Sequence, residues 1–135
     1  MKPERDTLAK AIGKLVEAAA SVRAAYERCG PGEVDATLFE PVETSWGVLS
    51  AALDDEKLLE AAASALGMPA AAWRQQLRAA GLAACDLAHR CVFRVEGLNF
   101  FAPEVGLIPR REMVEKFETS LEVLRDQLEK LNHRA

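Results

Sequence analysis

The sequence predicts an all-α protein, and three observations carry the prediction. Leu8-Ile12-Leu15-Ala19-Val22-Tyr26-Cys29 and Val114-Phe117-Leu121-Leu124-Leu128-Leu131 keep a strict 4-3 apolar spacing, the seam of long helices packed side by side. Alanine is abundant while aromatic residues make up only 6% of the chain, which favours closely packed helices over strands built on branched and aromatic side chains. Four segments with apolar stripes follow one another with mostly short joins. That is the pattern of a four-helix bundle with long heptad-patterned first and last helices and a kinked or split second helix.

At 135 residues and 50% hydrophobic, the chain suits a single helical domain over residues 1–135. Such a domain buries roughly two-thirds of its unfolded surface.

The first helix begins near Pro3, where a missing N–H costs nothing, with Glu4 and Asp6 at the positive end of its dipole. It stops at Gly30-Pro31-Gly32, which gives a rod of about 40 Å. A second pattern, Phe39-Val42-Trp46-Leu49-Leu53, then slips, because the next frame positions are Glu56 and Glu60. The slip falls at Asp54-Asp55, and an aspartate there can cap a fresh helix. Residues 39–66 therefore read as two helices or as one with a kink, closed by Gly67-Met68-Pro69. The third segment starts at Pro69, carries Trp73-Leu77-Ala80-Ala84-Leu87-Cys91 and ends near Arg94 to Glu96. The last helix runs from Pro109 toward the C-terminus, with Glu112/Lys116 and Asp126/Lys130 pairs at one-turn separation on a solvated face.

Charge is distributed unevenly. Residues 31–68 hold eight acids and one lysine, whereas residues 69–95 hold four arginines and one aspartate. The simplest account lays the acidic second segment against the basic third one. The net charge of −4 gives no encouragement to binding a membrane surface or bulk phosphate. No apolar run resembles a signal peptide or a membrane span, so a cytoplasmic location is expected. Cys29, Cys85 and Cys91 cannot all pair internally and show no disulfide-rich spacing, so reduced thiols are expected.

One local stretch carries a motif. In residues 62–82, Ala62-Ala63 precede Leu66-Gly67 and Met68, Trp73 and Leu77 follow at anchor spacing, and Gly81-Leu82 close the run. The stretch resembles the helix-turn-helix of the Fis-like DNA-binding family, whose paired alanine and Leu-Gly make a tight turn before a helix that enters the major groove. The resemblance implies that residues 58–82 form the motif and that Arg74, Gln75 and Arg78 face DNA; in that reading the heptads of the terminal helices dimerise the chain. Where the family places serine, arginine or threonine, this chain has Pro69-Ala70-Ala71-Ala72, which leaves mainly apolar contact with thymine methyls.

Other chemistry has less to stand on. Cys85, His89 and Cys91 are zinc-ligand types, but on one straight helix Cys85 and His89 lie within about 40° while Cys91 points about 160° from His89. His89 has a helical setting like that of histidine phosphotransfer domains, yet Arg90-Cys91-Val92-Phe93 follows it in place of their lysine-glycine pair. Ser21, Ser45, Ser50, Ser64 and Ser120 lie in no nucleophile elbow, and no glycine-rich phosphate loop is present. Glu40, Glu43, Asp54 and Asp55 form no repeated ExxE or ExxH pattern. No catalytic residue, metal ligand or cofactor is therefore assigned.

The connection at residues 97–108 is unusually apolar. Leu98, Phe100, Phe101, Val105, Leu107 and Ile108 either cap the bundle or offer a partner an anchor surface. The expected function is a non-catalytic helical bundle acting by protein–protein interaction or self-assembly, with a homodimer through the terminal helices. The alternative is a DNA-binding regulator.

Overall fold

Helix α1 (Lys2–Cys29) is the hub of the molecule. The computed structural model describes residues 2–29, 34–93 and 110–133, and α1 packs against every other α-helix among them. Its stripe is the reason: Leu8, Ile12, Leu15, Ala19, Val22 and Tyr26 are all buried. Burying each large side chain of this kind contributes about 1.5–3 kcal/mol.

A single 3₁₀ turn (Ala36–Leu38) leads into the second segment. Asp35 starts it by accepting from the Thr37 amide at 3.0 Å and the Thr37 hydroxyl at 2.8 Å, and those two bonds hold its carboxyl below the usual carboxylate range.

The second segment takes its split form, as α2 (Phe39–Asp54) and α3 (Glu56–Leu66). Asp55 makes the break. Its backbone is extended, and its side chain accepts from the Leu58 amide at 3.2 Å, so it caps α3. The described residues thus form five α-helices rather than the four that a simple bundle requires, because a capped break gives α3 its own axis. Gly67 ends α3 in the left-handed conformation, φ 68°. Its amide reaches Ser64 O at 3.1 Å and the Met68 amide reaches Ala63 O at 2.9 Å, which satisfies carbonyls the helix end would otherwise orphan.

Helix α4 (Ala70–Phe93) begins with the Pro69 carbonyl accepting from the Trp73 amide at 3.0 Å. Helix α5 (Arg110–His133) completes the order. Its Phe117, Leu121, Leu124 and Leu131 are buried, while Val114 and Leu128 are half-buried against the same core. The α5 face turned away from the core carries the expected ion pairs, Glu112–Lys116 at 3.3 Å and Asp126–Lys130 at 3.5 Å.

Helix α5 runs antiparallel to α1 and α4, and α2 runs antiparallel to α4. Arg23 of α1 pairs with Glu118 of α5 at 3.1 Å, and Trp73 of α4 bonds Gln127 of α5 at 2.8 Å. Across α2 and α4 the pairs are Asp54 with Arg78, Trp46 with Gly81 and Phe39 with His89. The all-α class holds, and among the described residues no helix is long and apolar enough to cross a membrane.

The seams of α1 and α5 are consumed inside one chain. Their outward positions, such as Lys10, Lys14, Glu17, Glu122 and Lys130, are polar and exposed. Apolar positions left partly exposed on these two helices include Val16 and Ala20 of α1 and Val123 of α5.

Candidate interaction face on α2 and α4

The antiparallel seam of α2 and α4 brings together two runs that carry no charged side chain. Residues 44–53 of α2 lie across from residues 79–85 of α4. Gly81 is what lets them approach: a Cβ built there would overlap the Trp46 ring, so the indole lies where a side chain would otherwise stand. Trp46 stays partly exposed over this contact, and Leu82, the next residue of α4 after Gly81, is 51% exposed. At Gly47 the surface is open, since a Cβ there meets no atom within 4 Å.

Charge closes the strip at both ends. At one end Asp54 pairs with Arg78, and Glu56 pairs with Arg74 at 3.6 Å. At the other end stand Glu40 and Glu43, which pair with no cation among the described residues, and His89, whose ring meets Phe39 edge-on at 5.3 Å and 75°. Between these ends Cys85 is half-buried. Burial first, and then the charges of Glu43 and Asp86, push its thiol pKa up.

Two grooves flank the helices. One of about 400 Å³ runs between α1 and α2, with Ala18, Leu38, Pro41 and Val48 among its walls and Lys14 and Glu17 at its rim. Val48 is 53% exposed there. The other, of about 640 Å³ between α4 and α5, is lined by mixed charges that include Asp86, Arg90, Glu112 and Lys116.

The residues singled out in the sequence fall as follows. Arg74 and Arg78, expected to face DNA, are drawn back onto the acidic α2–α3 corner, while Gln75 is exposed. The acidic second segment thus lies against the basic third one, as charge alone suggested. The motif's turn is present in form: Ala62, Ala63, Leu66, Trp73 and Leu77 are buried around the left-handed Gly67. Cys91 is sealed in the core, and burial pushes its thiol up to about 12. Cys85 and His89 instead face α2, so the three zinc-ligand types are not brought together; among the described residues no group of three such side chains converges on one point. Glu40 and Asp54 sit fourteen positions apart on α2, about 21 Å along the axis, so these acids form no single cluster. Leu98, Phe100, Phe101, Val105, Leu107 and Ile108 lie outside the described residues.

The sequence reading passed over the charge-free strip. Its signal was available, since residues 44–53 and 79–85 stand out in a chain that is 28% charged. That the two runs face each other across Gly81 is a property of the fold.

No protein-family model matches the chain, and neither the curated proteins nor the solved structures compared with it include a match.

Proposed function

We propose that this protein acts without catalysis, by docking another protein on the α2–α4 flank. The observation that carries the reading is the half-exposed Leu82 (51%), which follows the Gly81–Trp46 contact on α4, together with two facing runs without charge. Interface centres shed charged residues and use aromatic and aliphatic anchors. Outward positions of α1 and α5 carry lysine and glutamate at one-turn spacing, so the α2–α4 strip costs less to remove from water than those faces. Self-assembly through the terminal helices has less support, because their seams are already buried.

The test uses the purified chain and its Leu82→Glu variant, each immobilised and exposed to an extract of the cells it comes from. Wild type is expected to retain a protein that the variant loses, while circular dichroism and thermal midpoint stay unchanged. Retention by both, or by neither, overturns the reading.

A second reading keeps the DNA-binding alternative. It is favoured by the turn itself, where Gly67 at φ 68° joins α3 to α4 with buried alanines behind it. Counter to it, Arg74 and Arg78 already have carboxylate partners, and freeing them for phosphate means separating those pairs. Its test is a titration with random duplex DNA at two salt concentrations. A complex that weakens steeply with salt and vanishes in Arg74→Ala/Arg78→Ala would support it.

A further inference from the structure

We propose that the occupant of the α2–α4 flank is a basic amphipathic helix of another protein. This rests on the docking reading above and adds the chemistry of the partner.

Charge at the two ends of the strip selects the sign. Arg78 and Arg74 offset Asp54 and Glu56 at one end, where the exposed Asp55, Lys57 and Glu60 together leave one net negative charge. Glu40 and Glu43 stand at the other end. Asp86, alongside, is taken up by Arg90 at 3.0 Å. The strip is therefore neutral in the middle and net acidic at both ends. A helix with an apolar face and flanking lysines or arginines matches that order, as complementary potentials require.

A second copy does not match it. A two-fold axis, whether along the helices or across them, lays an acidic end of one copy on an acidic end of the other. Like charges brought together in this way work against association. The surface also suits a helix: Gly47 of α2 is open and Leu82 of α4 is half-exposed, and a third helix can straddle two adjacent helices by ridges-into-grooves packing.

The probe is a synthetic helical peptide with leucine on one face and lysine on the other, titrated calorimetrically into the full chain. A peptide with glutamate in place of lysine serves as its counterpart. The lysine peptide is expected to bind and the glutamate peptide to fail. Leu82→Asn is expected to weaken binding about tenfold, the loss of one aliphatic anchor, and Glu40→Gln/Glu43→Gln to weaken it severalfold and flatten its salt dependence. Equal binding of the lysine peptide to wild type and both variants overturns the proposal, since that is attraction to acid anywhere on the surface. Binding of the glutamate peptide through Leu82, or a Leu82-dependent dimer in sedimentation, also overturns it but leaves the docking flank standing. If Leu82→Asn affects no association at all, the flank reading falls with it.

Discussion

The indole Nε1–H of Trp73 donates to Oε1 of Gln127 at 2.8 Å, and both side chains are about 1% exposed. This is a buried side-chain hydrogen bond that joins α4 and α5 through a mainly apolar core. A buried donor left without an acceptor costs about 1–3 kcal/mol, whereas removing both partners together costs much less. Gln127→Leu is therefore expected to lower unfolding free energy by about that amount, and Trp73→Phe in the same chain to cost less than the two single effects added. Urea unfolding of the double-mutant cycle measures it. Strict additivity would show that the bond contributes nothing beyond packing.

Gly81 and Trp46 make a second pair with a definite sign. Alanine at an exposed helix position normally gains about 1 kcal/mol over glycine. Here the new Cβ meets the Trp46 ring, and overpacking costs about 1–3 kcal/mol. Gly81→Ala is expected to destabilise wild type but to stabilise a Trp46→Ala background. Thermal denaturation of the four chains decides between this and a ring that simply swings away.

Asp55 alone separates α2 from α3. Losing a side-chain cap costs about 0.5–2 kcal/mol, so Asp55→Ala is expected to fall in that range, while Asp55→Asn or Asp55→Ser keeps most of the stability. Equal losses in all three chains would assign the effect to charge near Arg74 and Arg78 and not to the cap.

The two described thiols are free and differ in depth. Cys91, raised to about 12 by burial, is expected to resist alkylation until the chain unfolds, and Cys85, raised less, to react slowly in the native state. Mass spectrometry of labelled peptides reads both. The same shift predicts a direction for stability. An unfolded thiol releases its proton near its ordinary 9.0, while folded Cys91 keeps it to about 12, so this contribution is complete below the lower value and is lost as pH rises toward the higher. Cys91→Ala is expected to flatten that alkaline loss.

Much of the helical plan was written in local pattern. The 4-3 stripes of α1 and α5, the slip at Asp54-Asp55, the glycine at position 67 and the one-turn pairs on α5 all depend on residues within a turn or two of each other, so periodicity and capping chemistry were enough to read them. The burial of Gln127 was not legible, because it lies beside the heptad stripe and only the indole of Trp73, 54 positions away, makes its burial tolerable. Arg74 and Arg78 illustrate the same divide. Their types and spacing suited DNA, but the fold brings Glu56 and Asp54 to them.

The sequence by itself therefore determined where helices start, stop and turn their apolar sides, since those are set by hydrogen bonding and side-chain pattern over a few residues. Tertiary structure decided which surface is left over. The heptad stripes of α1 and α5 are buried against the other helices of the same chain. The charge-free strip with Trp46 over Gly81 exists only because α2 and α4 pack antiparallel, and that pairing is driven by burying apolar area from segments distant in the chain rather than along any one of them.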